Sequence, residues 1–473
     1  MGLKSSGRDK SRRAGVHHTG RGHRHGFQRD LTTPSLTLLT VGGVMGSGLF
    51  MASGLAIRHA GPMVVFLYAL GALAMYLEIN ALAEMSIATP TPGSFLVFTH
   101  KVLGAGWTFV AGWIFWFSSV LTMSSEVTAA SLFTRYWFPT IPLWVWALAY
   151  SAAIIAINFI SVRGFGTIEG VMAGIKTVAV LAFIVVGALA VTGVLAHKPN
   201  PASPFTGHGV WIPHGWYGAA PAMLLVLFAY AGTGVIGLAA AEAKKPEKTL
   251  PQAIRLSVWL TTIMYLGSIV FILALTPWWR NSDKISPFVL ALHNVPLPYG
   301  AWLMNGVLLF AVLSTMNAAL YSNVRVLYSL AEQRQAPRAL GRLNAKGLPT
   351  HAIWTSAALL GATIVLAYVL PHKAYAYLVT ATGFQAMFIW LMILLTQLYY
   401  RPYLEKHHPE KLTHRLWGYP YTTYFVMAVV VLALLASPLA HGELVGAVVG
   451  FGGILLTWLV WIALRKRIQS PSA

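Results

Sequence analysis

Beyond residue 30 the chain alternates long apolar runs with short polar connections. The runs lie near 32–57, 63–88, 107–134, 142–160, 167–195, 216–240, 253–276, 299–327, 352–370, 376–399, 420–438 and 443–464. A helix needs roughly 20 such residues to cross a bilayer. Hydrocarbon offers no water to backbone N–H and C=O groups, so the pattern predicts twelve transmembrane helices. A further apolar stretch, 285–295, is too short to span and is predicted to be an interfacial helix. The first 30 residues are polar, basic and Gly-rich, without the apolar core of a cleavable signal peptide. They are expected to form a disordered cytoplasmic tail (1–30) ahead of an uncleaved first span.

Composition sharpens the class. The 473 residues are 56% hydrophobic and only 10% charged, against about 25% charged in soluble domains. That excludes a soluble globular protein. There is no Cys, so neither a disulfide framework nor thiol chemistry is available. The formal net charge of +20 would suggest nucleic acid in a soluble chain, but here the position of each charge decides. With the N-terminus inside, 26 of the 33 Lys and Arg fall on cytoplasmic segments or span ends and 6 on the opposite side, and the remaining cation, Lys176, falls inside a span. This bias places both termini in the cytoplasm. The excess charge is then an orientation signal and an attraction for anionic lipid head groups, with no nucleic-acid partner implied. His17, His18, His23 and His25 in the tail suggest a metal tract only by composition, without acidic or Cys ligands beside them. Trp278 and Trp279 read as aromatic-belt anchors.

Two spans are interrupted by glycine. Span 1 contains VGGVMGSGLFMASG, with glycines at 42, 43, 46, 48 and 54, and span 6 contains FAYAGTGVIG, with glycines at 232, 234 and 237. Glycine lowers the cost of leaving helical dihedrals, and irregular backbone at membrane depth is tolerated only around a protein-lined cavity. Gly-interrupted spans five apart therefore point to an inverted repeat with a site near the bilayer midplane. The half-helix after the first break would aim N–H groups at an anion, and the freed carbonyls would suit a cation. Together they suit a zwitterion such as an α-amino acid. The alternative is that the glycines are packing faces between helices.

The stretch GGVMGSGLFMASG resembles the first-span signature of the amino acid–polyamine–organocation transporters. EINALAEMSIATPTPGSF, FGTIEGVMAGIKTVAVLAFIV, FAYAGTGVIGLAAAEAKKPEKTLPQAI and STMNAALYSNVRVLYSLAEQRQAPRALGRLNAKGLPTHAI are similar to the bacterial amino acid transporter branch. The resemblance runs in order over roughly residues 27 to 400. It implies an all-α, leucine-transporter-type fold: two inverted five-span repeats (about 31–197 and 214–400) forming a core over 31–400, with two peripheral helices in 401–473. It also implies that Gly46, Ser47 and Gly48 bind a substrate carboxylate, and that the carbonyls of Val44, Phe228 and Ala231 take its ammonium group. Phe228 would be the aromatic gate, and Met45, Tyr230, Gly232 and Gly234 complete the implied substrate site. The chain departs from the pattern at Gly234, where the family very often carries Glu, and at Asn80, where the branch usually has Arg.

Charges within spans each invite an explanation, since even insertion scales put their cost at about 2.5–3.5 kcal/mol. Lys176 lies in span 5, with Glu169 seven residues earlier on roughly the same face. The resemblance implies that its ammonium replaces a sodium ion, bridging spans 1 and 8 near Gly43, Ser314 and Thr315, and so couples transport to protons. The alternative is a fixed structural pair with Glu169. Glu126 in span 3 could be a proton carrier, an amine contact, or a buried acid satisfied by neighbouring serines. Glu84 and Glu242 read as gate or loop-anchoring residues, Glu78 as bundle-facing, and Arg325 as an interfacial anchor.

The leading reading is a secondary active transporter that imports an amino acid by proton symport with alternating access. Gly234, Phe228, Ser124, Ser125 and Ala129 favour a neutral side chain. No Walker-type loop supports direct ATP drive. The first break holds no acid for sodium, which favours the proton as coupling ion, and the reading calls for no cofactor. The rivals are an amino acid exchanger, a carrier of an amine lacking a carboxylate, and a transporter-like nutrient receptor. No HExxH, paired catalytic acids or Ser/His arrangement suggests an enzyme.

Overall fold

The computed structural model describes residues 32–91, 95–160, 165–195, 211–234, 236–237, 243, 245–344, 348–370, 373–439 and 444–469. The described residues form a bundle of α-helices. α1 (Thr33–Val44) starts with Pro34 in its first turn, where a missing N–H costs nothing. A π-helical turn (Gly48–Ala52) leads into α2 (Ser53–Ala60), then α3 (Val64–Ala88), α4 (Phe95–Leu103), α5 (Ala105–Arg135), α6 (Leu143–Ile160) and α7 (Phe165–Val191). The second half holds α8 (Gly215–Ala229), α9 (Pro246–Leu275), α10 (Pro287–Leu292), α11 (Gly300–Glu332), α12 (Thr350–Val369), α13 (Ala374–His407), α14 (Tyr421–Ala436) and α15 (Leu444–Gln469). Among the described residues eight helical segments are long and apolar enough to cross a membrane, and four shorter apolar helices, Thr33–Val44, Leu143–Phe159, Gly215–Ala229 and Thr350–Leu366, fall where spans are predicted.

α5 packs along both α11 and α13, α1 lies against α7 and α9, and α2 lies against α8. α14 and α15 flank this core, and α15 turns Leu455, Leu456 and Leu459 outward. Such exposed apolar stripes, also present on α7 at Val178 and Val185, are what helices crossing a bilayer turn outward.

Two features depart from the sequence reading. The connection after α3 contains a helix, α4, with Phe95, Leu96 and Phe98 buried. The predicted interfacial helix is instead the buried helix α10, in which Phe288, Val289 and Ala291 are fully enclosed. Ser286 caps α10, accepting from the Phe288 N–H at 3.3 Å, and donates its hydroxyl to the Phe50 carbonyl at 2.7 Å. Phe288 meets the rings of Phe50 and Phe183 at 5.6 and 4.7 Å. An apolar segment too short to cross the bilayer thus closes one end of the bundle.

Candidate functional site

The first predicted break is present. α1 stops at Val44, Met45 leaves helical geometry with ψ 86°, and the Gly46 N–H reaches only the Val44 carbonyl. Beyond Ser47 the chain rewinds as the π-helical turn. α8 ends at Ala229, and the chain then turns through Gly232, whose φ of +109° an L side chain rarely adopts. Of the expected second half of span 6, only Ile236 and Gly237 lie within the described residues before position 243. The breaks touch: a Cβ on Gly48 would sit 2.8 Å from the Ala229 Cα, and one on Gly232 would sit 2.7 Å from the Gly43 carbonyl oxygen. Gly42 follows the packing alternative, since a Cβ there would meet the Ala173 Cβ of α7 at 2.7 Å.

Tyrosines from later helices hold the loosened backbone. The Tyr265 hydroxyl lies 3.0 Å from the Val44 carbonyl and 3.1 Å from that of Ala229, serving both breaks from α9. The Tyr375 hydroxyl donates to the Ser47 carbonyl at 2.9 Å. These two residues were not anticipated from the sequence, although an isolated tyrosine within an apolar run is a usable signal.

Beside the breaks lies a cavity of about 180 Å³. Val44, Gly46, Gly48, Phe228, Ala231, Gly232 and Gly234 line it as expected, together with Glu126 and Thr315. Three expected substrate residues do not line it. Met45 is enclosed in the core. Tyr230 is buried behind the break, stacked on Tyr265 at 4.8 Å and donating to the Tyr68 carbonyl at 3.0 Å. Ser47 is fully buried, and its N–H lies 3.0 Å from both carboxylate oxygens of Glu126 while its hydroxyl donates to Oε1 at 3.0 Å. A Cβ on Gly46 would overlap that same carboxylate. The donors expected to hold a substrate carboxylate therefore hold one already, contributed by the protein.

The expected ammonium acceptors also differ. The Val44 carbonyl accepts from Tyr265 and from the Gly46 N–H, and the Phe228 carbonyl accepts the Ala231 N–H at 2.9 Å. The Ala231 carbonyl has no donor among the described residues. α5 presents Ser118, Ser119 and Thr122 to the cavity, one to two turns away from the expected Ser124, Ser125 and Ala129. Ser124 instead bonds to the Val120 carbonyl, and Ser125 to that of Thr122. Trp390 and Ser322 are further unexpected lining residues. Phe95, Leu96, Val326 and Ile393 carry the lining away from the breaks toward the α4 end of the bundle. A larger groove of about 900 Å³, lined by Trp113, Arg338 and Leu456 among others, lies apart from both breaks.

Lys176 is buried in α7 and makes both kinds of contact raised for it, to spans 1 and 8 and to Glu169. Its Nζ donates to the Gly42 carbonyl at 3.2 Å and to the Thr315 hydroxyl at 3.0 Å, joining α1 to α11. It also lies 3.8 Å from Glu169 Oε1. Ser314 does not bind the ammonium; its hydroxyl lies 3.0 and 2.9 Å from the two oxygens of Glu169. The carbonyl engaged is that of Gly42, one residue before the expected Gly43.

The other membrane acids separate clearly. Glu84 is an anchor: it pairs with Arg401 at 3.2 Å, accepts from Gln397 at 3.2 Å and accepts the Leu416 N–H at 2.6 Å. Glu78 lines the cavity, fully buried, and accepts the Thr233 hydroxyl at 2.9 Å. An acid thus reaches the span 6 break from α3, although position 234 is glycine. Arg325 lies over the Tyr321 ring at 4.0 Å. Among the described residues no group of three or more His, Asp or Glu could hold a metal ion; the tail histidines and Glu242 lie outside them.

Comparison with known proteins agrees with this architecture. The family described as Amino acid permease matches residues 35–464. A gamma-aminobutyric acid permease of Bacillus subtilis (strain 168) is 35% identical over 456 residues, covering 95% of this chain and 96% of its own. The aromatic amino acid transport protein AroP of Salmonella typhimurium (strain SL1344) is 33% identical over 419 residues, with 88% and 92% covered. Among solved structures, a manganese transporter mutant of Eremococcus coleocola aligns with a TM-score of 0.55 at 14% identity, covering 93% of this chain and 95% of that one. That likeness shows a shared fold, the leucine-transporter-type arrangement expected from the sequence.

Proposed function

The chain belongs to the amino acid permease family, and we propose that it imports a net-neutral amino acid across the cytoplasmic membrane by proton symport with alternating access. The observation that carries this reading is Lys176, whose ammonium ties the α1 break to α11 through Gly42 and Thr315 beside the cavity. Charged, the ammonium has three donors for Gly42, Thr315 and the facing Glu169 carboxylate; a neutral amine has two and no charge, and holds these contacts more weakly. Loss of the proton would loosen α1 from α11, and gain of a proton would restore the contact. In this way a proton biases two arrangements of the bundle.

The state described is closed at the α10 end, where Phe50, Phe183 and Phe288 meet. Its cavity extends toward α4. The excess of Lys and Arg assigns that end to the cytoplasm, so this is the inward-facing arrangement, with both termini inside. We read residues 31–400 as the transport core of two inverted repeats, with α14 and α15 as the peripheral pair. Glu126 stands in for a substrate carboxylate at Ser47. An incoming substrate would displace it, gaining the Ser47 and Gly48 N–H groups at the start of the helical segment.

Support for a net-neutral substrate comes from the hydroxyl and apolar lining and the modest cavity. Two relatives are named for gamma-aminobutyric acid and for aromatic amino acids, both net-neutral zwitterions. Purified protein in liposomes tests the reading. Amino acid accumulation should follow an imposed pH gradient; uptake by counterflow that ignores the gradient would identify an exchanger instead.

A further inference from the structure

We propose that Glu78 is the ammonium-recognition residue of the cavity, holding the amine of the substrate through the carboxylate oxygen that the protein leaves open. The inference rests on the reading of the cavity as an amino acid site and adds to it a residue on α3.

Glu78 is fully buried, and its Oε2 accepts the Thr233 hydroxyl. Its Oε1 is also buried, and no donor among the described residues reaches it. A carboxylate has about four acceptor positions, and an ionised one without a cation in a dry site is strongly disfavoured. Among the described residues no counterion is paired with it. The cavity lining contains two acids, Glu78 and Glu126, and no Lys, Arg or His. Lys176 is paired with Glu169, and Arg401 with Glu84 and Glu405. Glu126 spends its carboxylate on Ser47. Glu78 therefore lines the cavity with an acceptor unfilled among the described residues, which a cation entering with the ligand can take.

The surroundings fit an ammonium group. Thr233 belongs to the turn after α8, two residues from Ala231, whose carbonyl also has no donor among the described residues. A primary ammonium has three N–H donors, enough for the Glu78 oxygen, the Ala231 carbonyl and a third acceptor. Space is available, since a Cβ on Gly234 would meet nothing within 4 Å. The carbonyls of Val44 and Phe228 already accept hydrogen bonds, so the site needs a further anionic acceptor for the amine. A zwitterion would then lie with its carboxylate toward Ser47 and its amine toward Glu78.

The test compares binding of amino acids with their des-amino carboxylates, for example gamma-aminobutyrate against butyrate and phenylalanine against 3-phenylpropanoate, in wild type and Glu78→Gln. Wild type should prefer the amine-bearing member of each pair. Glu78→Gln should weaken that member by about 10- to 100-fold, the range for a hydrogen bond to a charged group, while leaving the des-amino affinity within about twofold. Thr233→Val, which keeps the charge but removes its orienting hydroxyl, should give a smaller loss in the same direction. Equal affinity for amino acids in wild type and Glu78→Gln overturns the proposal, as does equal weakening of both pair members in a variant that stays folded by size exclusion. Should Glu78→Gln not fold, Thr233→Val decides: an unchanged preference for the amine refutes the role. Wild type that binds no amino acid overturns the transport reading as well, a result distinct from the others.

Discussion

Glu84 and Glu78 lie six residues apart on α3, and both are buried. Glu84 has a guanidinium, a side-chain amide and a backbone N–H arranged around it. Glu78 lines a cavity, with one hydroxyl on Oε2 and no donor among the described residues on its buried Oε1. The difference teaches that burial of an acid does not reveal its role. A completed coordination shell marks a joint, here between α3, α13 and the segment containing Leu416; an incomplete one beside a cavity marks a place for something that arrives. Glu169 stands between these cases, satisfied by Lys176 and Ser314 but through an ammonium that can lose its proton.

The largest effect should come from that intermediate case. Lys176→Ala should abolish pH-driven accumulation while leaving counterflow measurable in reconstituted protein that remains folded; proton-driven uptake at the wild-type level would refute the coupling role. Next is the attempt to turn Glu84 into an unpaired acid. Arg401→Ala should lower stability by about 3–5 kcal/mol, the cost of breaking a buried pair, read as a lower thermal midpoint in detergent. Ligand affinity of the folded fraction should be unchanged. Glu78→Gln should do the reverse, keeping the thermal midpoint within about 1 kcal/mol of wild type, because no existing ion pair is lost. A large destabilisation there would place Glu78 with Glu84 as a joint.

Gly232→Ala probes the contact between breaks. It should cost about 1–2 kcal/mol for the left-handed backbone alone, and more for the overlap with Gly43, reducing uptake per folded molecule. The smallest effect belongs to His414, whose ring nitrogen lies 3.1 Å from Asn80 Oδ1 at the Glu84 end of α3. Burial holds its imidazole below the ordinary histidine range. The unfolded chain then binds the proton more readily than the folded protein. Its contribution is therefore retained above about pH 6.5 and lost as pH falls from there toward the depressed folded value. His414→Gln should flatten that part of the pH–stability curve relative to wild type.

The legible part of the site was its backbone. Glycines marked the breaks, Gly232 through its dihedrals and Gly46 and Gly48 through close approach of Glu126 and Ala229, whereas Gly42 packs on Ala173; a lone lysine in an apolar run announced Lys176. The side chains facing the cavity were less legible. The sequence suggested Ser124, Ser125 and Ala129 on α5, whereas Ser118, Ser119 and Thr122 are the ones presented. A membrane helix is apolar on its lipid face as well as its packed face, so periodicity does not tell one from the other. Met45 and Tyr230 turn into the core and Ser47 meets Glu126 for a related reason: proximity to a break in the chain does not fix which way a side chain turns.

By itself the sequence determined the membrane class, the run of spans, the charge asymmetry and the positions where helices must break. These follow from local composition and from the cost of unpaired backbone in hydrocarbon. Only the tertiary structure decided which partner each polar group meets. It set Glu126 on Ser47, Lys176 between Gly42 and Thr315, Arg401 on Glu84, and left Glu78 open. These are contacts between residues far apart in the chain, governed by how the helices rotate and dock against one another, which no local pattern encodes.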